Sequence, residues 1–179
     1  NDIIVAPWND AETLESILDA HDDIAAVLME PYMCDEGPIL PKEGYLQAVK
    51  DMCTKRGALL IFDEVITGFR LSLGGAQQYF GVTPDLAIFG KAIAGGFSLS
   101  MICGKKELME KVHPSGTFNA TPIAVAASLA TIAELEKPGT YEKMDALGKK
   151  LTDGLMELGK KHGIKVYANH HNAICQMQL

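Results

Sequence analysis

Residues Ala58-Leu-Leu-Ile-Phe62, an apolar run closed by Asp63 and Glu64, decide how this chain folds. Five apolar residues in succession leave no polar face, so the segment reads as a buried strand of a parallel sheet. Upstream, Ile24-Ala-Ala-Val-Leu-Met29 is a second such run, and it ends at Glu30-Pro31. Between the two, Tyr45, Leu46, Val49, Met52 and Cys53 recur at the spacing of one helical stripe, which Gly57 is placed to terminate. Strand, helix, strand with continuous apolar strands predicts parallel pairing through right-handed crossovers, with helices on both faces of the sheet. The fold class is therefore α/β.

Working outward, Asp10 is a plausible cap for a helix carrying Leu14, Ile17 and Leu18. A polar loop, Cys34-Asp-Glu-Gly-Pro38, leads to the second helix. Asp85-Leu-Ala-Ile-Phe89 predicts a short strand that ends at Gly90-Lys91, and Ser98-Leu-Ser-Met-Ile-Cys103 predicts another. Two long helices are expected from about Thr121 to Glu136 and from about Thr140 to Lys161, the second stopping before Gly163. Ile164 to Tyr167 and Ala173 to Leu179 read as strands of a separate antiparallel piece. The expected division is residues 1–161 for the central part of a large domain and 162–179 for the start of a small C-terminal α+β domain. The chain opens at Asn1 without an initiator Met and stops at Leu179 inside an apolar stretch, so it reads as a fragment.

Composition narrows the function classes. With 179 residues, 47% apolar and 22% charged, the chain has enough material for one α/β domain with a core. A net charge of −7, with both signs spread along the sequence, argues against nucleic acid or an anionic membrane as partner, since either favours a basic patch. No apolar run approaches the roughly 20 residues of a membrane span, and no charged segment followed by an apolar one opens the chain. A cytoplasmic protein is the expectation. Cys34, Cys53, Cys103 and Cys175 lack any C-x-x-C spacing, which predicts buried free thiols and no metal site.

In open parallel sheets, ligands sit beyond the carboxyl ends of the strands. Glu30, Asp63 and Lys91 each follow an apolar strand directly. Any one of them alone is simply the first polar residue outside a core, and for Glu30 that reading is preferred. An acid at one strand end and a lysine after another are, in combination, what a pyridoxal cofactor requires. The amine forms a Schiff base, and the carboxylate keeps the pyridine nitrogen protonated so that the ring accepts electrons. A lysine at its ordinary pKa of roughly 10.4 is a poor nucleophile, so such a site is expected to be partly buried.

A rival reading uses the same residues. Leu59-Leu-Ile-Phe-Asp63-Glu64 also fits the acidic strand of P-loop nucleotide hydrolases, but no G-x-x-x-x-G-K-[ST] loop accompanies it. The sequence contains no G-x-G-x-x-G, H-E-x-x-H or G-x-S-x-G either. His170-His171 is read as solvated, lying in a polar loop. Asn119-Ala-Thr121 matches a glycosylation sequon by chance.

Ile61-Phe-Asp-Glu-Val-Ile-Thr-Gly-Phe-Arg70, followed by Gly74-Gly-Ala-Gln77, Thr83-Pro-Asp-Leu86 and Gly90-Lys-Ala-Ile-Ala-Gly-Gly96, closely resembles the class III aminotransferases and, within them, an aminomutase branch. The resemblance runs over essentially the whole chain. It implies the type I fold of pyridoxal 5'-phosphate (PLP) transferases, with Lys91 as Schiff-base lysine and proton shuttle. It further implies that Asp63 pairs with the pyridine nitrogen and that Val65 packs against the ring. Gly116-Thr117 resembles a segment that reaches across a homodimer, where Thr117 binds the cofactor phosphate of the other subunit. The implied substrates are a small amino donor and a carbonyl acceptor.

Two segments depart from the aminomutase pattern, Ala94-Gly-Gly-Phe-Ser-Leu-Ser100 and Phe118-Asn-Ala-Thr-Pro122, and the loop after Glu30 is more acidic. These fall toward the substrate side. The resemblance thus leaves amino transfer between two molecules, amino transfer within one molecule, and a non-catalytic PLP-fold protein as alternatives. Asp63 and Lys91 together speak against the last.

Overall fold

A computed structural model of the chain describes residues 3–34, 37–113, 115–117 and 119–179. Its frame is a four-stranded sheet in the order β1 (Ala26–Met29), β2 (Leu59–Glu64), β3 (Leu86–Phe89) and β4 (Met101–Gly104). The first three strands run parallel and β4 is antiparallel to β3. Helix α2 (Tyr45–Arg56) makes the crossover from β1 to β2. The segment between β3 and β4 is too short to carry the chain back across the sheet, and it returns antiparallel.

Register fixes which residues share a face. Met29 pairs with Phe62, Phe62 with Ala87, and Ala87 with Cys103. Along this row Met29 and Phe62 pack against Leu14 and Leu18 of helix α1 (Ala11–Ala20) and Leu46, Val49 and Cys53 of α2. The alternate residues form the other face: Leu28 pairs with Ile61, and Asp63 with Ile88, which pairs with Ile102. There Ile61 and Ile88 are half-buried, while Leu28 and Ile102 are 62% and 53% exposed. Strand β2, unbroken in its apolar sequence, therefore alternates in burial, because α1 and α2 pack on its Phe62 side.

The helix ends follow local chemistry. Asp10 caps α1 as expected, its Oδ1 accepting from the Thr13 amide at 3.0 Å and its Oδ2 from the Thr13 hydroxyl at 2.7 Å. The two long helices are α5 (Pro122–Leu135) and α6 (Thr140–His162), within two residues of the expected spans. Shorter elements gave no periodic signal: α3 (Gly75–Phe80), α4 (Lys106–Met109) and a 3-10 turn over Lys91–Ala94.

After α6 come β5 (Tyr167–His171) and β6 (Ile174–Gln178), an antiparallel hairpin. The first of these begins later than the sequence suggests. The Ile164 amide donates to Gly159 O at 2.9 Å, closing the helix end, so the chain is not yet free to pair as a strand. The histidines also depart from expectation. His170 and His171 lie half-buried in β5, where His170 faces Asp145 at 3.5 Å and His171 packs against the Tyr32 and Tyr79 rings. Of the four free thiols, Cys34 and Cys53 are buried, whereas Cys103 is half-buried and Cys175 exposed. Among the described residues no helix is long and apolar enough to cross a membrane.

Asp85 ties three strands together from the start of β3. Its Oδ2 accepts from the Leu60 amide of β2 at 2.8 Å, and its Oδ1 meets Lys105 Nζ, just past β4, at 2.6 Å. Burial opposes the charge, but the Lys105 ammonium and the Leu60 amide outweigh it and hold the carboxyl below its usual range. Its folded pKa is thus depressed, so its contribution is complete above the unfolded value and disappears as pH falls through the folded one. We expect Asp85→Asn to lower unfolding free energy at neutral pH by about 1–3 kcal/mol. In denaturation measured from pH 7 down to pH 3, the gap between wild type and variant should narrow below pH ~4; a constant gap would count against this role.

Candidate functional site

The carboxyl ends of β2 and β3 bring three of the four expected site residues together. Asp63 is in register with Ile88 of β3, and Lys91 follows β3 directly after Gly90. Val65 lies against the chain just before the lysine: a Cβ built on Gly90 would stand 3.4 Å from Val65 Cγ1. An acid, an amine and an apolar side chain therefore gather at one edge of a parallel sheet. This is the edge where ligands of open α/β sheets bind.

Lys91 is held in place by the rest of its turn. Its backbone φ is +42°, a left-handed conformation that costs a non-glycine residue about 1 kcal/mol or more. Ile93 and Ala94, which complete the same 3-10 turn, are 2% and 0% exposed and pack with Ala87 and Phe89. The Ile93 amide donates to Gly90 O at 3.1 Å. This anchoring fixes the turn while the Lys91 side chain stands exposed. The partial burial that the chemistry calls for is not supplied by the described residues.

Asp63 is half-buried, and its Oδ1 accepts from the Val65 amide at 2.9 Å. This local bond fixes one carboxylate oxygen. Among the described residues Oδ2 accepts no hydrogen bond, so it can receive one from a cationic N–H. In chemistry, Asp63 and the exposed Lys91 amine match the two polar ends of a pyridinium aldehyde, and Val65 offers an apolar surface beside Gly90.

Glu64 points to the opposite face and is 0% exposed. Its Oε2 accepts from the Thr67 hydroxyl at 2.9 Å and the Ala76 amide at 2.6 Å. Its Oε1 accepts from Gln77 twice, the amide at 3.0 Å and Nε2 at 3.2 Å. Two further groups hold the loop between: Tyr141 of α6 donates its hydroxyl to Phe69 O at 3.2 Å, and Asn172 Nδ2 donates to Leu71 O at 2.6 Å. Burial raises the Tyr141 pKa, which keeps the phenol a donor.

The remaining candidates lie apart. Thr117 is exposed in the segment between α4 and α5, next to a turn in which the Asn119 amide donates to Gly116 O at 3.1 Å. No hydrogen bond joins it to Asp63, Val65 or Lys91. Glu30 uses Oε2 to accept from the Cys34 amide at 3.1 Å, closing the turn after β1. Asp35 and Glu36 of the acidic loop and Phe118 of the second departing segment lie outside the described residues. Among the described residues no three His, Cys, Asp or Glu side chains cluster as a metal site requires.

Sequence reasoning missed Glu64 and Tyr141 as builders of this site. Glu64 was detectable in principle, because it has the parity of Leu60 and Phe62 in β2 and so falls on the buried face. Nothing local marks Tyr141, whose partner is 72 positions away.

Comparison with known proteins gives the family. The sequence profile of the family "Aminotransferase class-III" matches residues 4–168. The chain is 45% identical over 174 residues to a glutamate-1-semialdehyde 2,1-aminomutase of Dechloromonas aromatica, covering 93% of this chain and 41% of that protein. An omega-transaminase from Sphaerobacter thermophilus superposes with a TM-score of 0.89 at 32% identity, over 98% of this chain and 42% of the other. A transaminase solved with PLP bound superposes at 0.87 with 28% identity, over 97% and 43%. The chain thus spans about two-fifths of the length of the relatives it matches.

The bond set around Glu64 leaves no space beside it. Gly75 has φ +71°, and a Cβ there would lie 2.3 Å from Glu64 Oε2. Gly75→Ala is therefore expected to destabilise the protein by about 1–3 kcal/mol, from strain and displaced hydrogen bonds together. Urea unfolding provides the check, and a midpoint equal to wild type would show that the loop yields without cost.

Proposed function

The chain belongs to the class III aminotransferase family, and from that premise we propose that the whole protein is a PLP-dependent enzyme moving an amino group from a small amino compound to an oxo acid or aldehyde. The observation that carries this reading is the pairing of Asp63 and Lys91 at the ends of adjacent parallel strands, with Val65 packed on Gly90 between them. When bound, PLP supplies an electron sink for the charge left as a proton leaves the substrate carbon.

The residues divide the work. Lys91 would hold the cofactor through Nζ, and its amine, when free, would take a proton from the substrate carbon and return it. Asp63 Oδ2 holds the proton on the pyridine nitrogen, and its negative charge is offset by the ring's positive one. Val65 would offer the ring an apolar surface. Thr117 serves a second subunit, its hydroxyl and amide binding the phosphate there, which makes the working form a homodimer. Residues 1–161 act as the central part of the PLP-binding domain and 162–179 as the start of the small domain; the proposed compartment is the cytoplasm.

A second reading has its own support. The curated relatives that match at 42–45% identity are named glutamate-1-semialdehyde 2,1-aminomutases. In an aminomutase the same residues perform the same proton transfers on one molecule, which is retained between the two halves of the reaction.

The test uses the full-length protein. Incubation with PLP should give a visible absorption band that borohydride fixes to the chain and that Lys91→Ala abolishes. Amino transfer should fall about 10²–10⁴-fold or more in Lys91→Ala. A full-length protein that takes up no PLP would sink the proposal. Glutamate-1-semialdehyde alone, set against a panel of amino donors with 2-oxo acids, separates the mutase from the transaminase.

A further inference from the structure

We propose that Glu64 is a positioning residue for the cofactor site: its buried carboxylate sets the direction in which Asp63 presents its own. This inference rests on the reading of Asp63 as partner of the pyridine nitrogen and adds the residue that holds it there.

The argument starts from how little else holds the end of β2. Pairing with β1 stops at Met29 and Phe62, so Asp63 and Glu64 are bonded to a strand on one side only, that of β3. Asp63 itself has one side-chain bond, to the amide of Val65. That amide belongs to the turn that leaves Glu64, in which the Gly68 amide donates to Glu64 O at 2.9 Å. The direction of Asp63 thus depends on the orientation of the residue beside it.

Four hydrogen bonds fix the Glu64 carboxylate. Thr67 comes from the start of the loop after β2, and Ala76 and Gln77 come from the first turn of α3, where that loop ends. One carboxylate therefore ties both ends of the loop to the last residue of the strand. Its hydrogen-bond donors are all neutral, so the cost of burying the charge is offset only while all four stay aligned. Neighbouring residues of a strand project to opposite faces, so a rotation of Glu64 about the strand axis turns Asp63 by the same angle. An anchor elsewhere on the loop would stabilise it without this coupling.

The experiment compares Glu64→Gln, Asp63→Asn, the double variant and Thr67→Val in the full-length protein. Three quantities are read: the PLP dissociation constant, the pH midpoint of the bound cofactor's visible absorbance, and the unfolding midpoint of the cofactor-free form. Glu64→Gln turns an N–H toward donors. It is expected to weaken PLP binding about tenfold and move the absorbance midpoint by about half a pH unit or more. With Asn at position 63 the same change should add less than about twofold, because its effect passes through Asp63. Thr67→Val keeps the carboxylate and removes one donor. It should shift both cofactor readouts in the same direction by less, and it decides the matter if Glu64→Gln does not fold.

Variants that lower the unfolding midpoint but leave dissociation constant and absorbance profile at wild-type values would overturn the inference. So would an effect of Glu64→Gln equally large with and without Asp63. An Asp63→Asn variant with wild-type affinity and spectrum would instead overturn the underlying reading of Asp63.

Discussion

The Glu64 carboxylate is wholly buried, and the structure around it is arranged to satisfy both its oxygens. An ion removed from water costs several kcal/mol unless its oxygens are satisfied. Here they are satisfied by a hydroxyl, two backbone amides and a side-chain amide drawn from two separate stretches of chain. The loop after β2 can take only the conformation that delivers those donors. Gly75 is required because its positive φ and missing side chain let the chain pass beside Oε2. The turn that seats Val65 against Gly90 and bonds Asp63 is one consequence of this constraint.

Asp63 and Glu64 also show how a strand separates two identical functional groups by parity alone. They are adjacent in sequence, and both are carboxylates. One joins a bonded interior where it can do no chemistry, and the other stands half-buried on the opposite face with an oxygen to spare. Exchanging the two residues would put the shorter acid among the donors from Thr67, Ala76 and Gln77, one methylene short of them, and the longer one at the site. Asp85 repeats the pattern more mildly, as an acid whose value lies in holding β2, β3 and the end of β4 in register.

The α/β class, the parallel pairing of β1, β2 and β3 and the spans of the long helices were legible because each rests on a local signal. Apolar runs such as Ala58–Phe62, a cap such as Asp10 and a helical stripe such as Tyr45–Cys53 all act within a few residues. That Asp63 and Lys91 stand at the ends of adjacent strands was legible because each closely follows an apolar run. What the sequence did not reveal depends on distance along the chain. The half-burial of His170 and His171 comes from Asp145, Tyr32 and Tyr79. The exposed Leu28 lies in a run as apolar as a core, and its surroundings are set by which face the helices take.

The hairpin β5–β6 gives the loop after β2 a dependence in time as well as in space. Asn172 reaches back 101 positions to Leu71 O, and Ile174 packs with Tyr32, Leu71 and Ala76. Closing so long a segment is entropically costly and is left until local structure has formed. On a ribosome, chain that has released the sheet but not the hairpin has both strand ends and lacks the donor for Leu71. The loop beside Asp63 is then completed only by a residue 101 positions downstream of Leu71, so that part of the site waits on chain made after the sheet and both long helices.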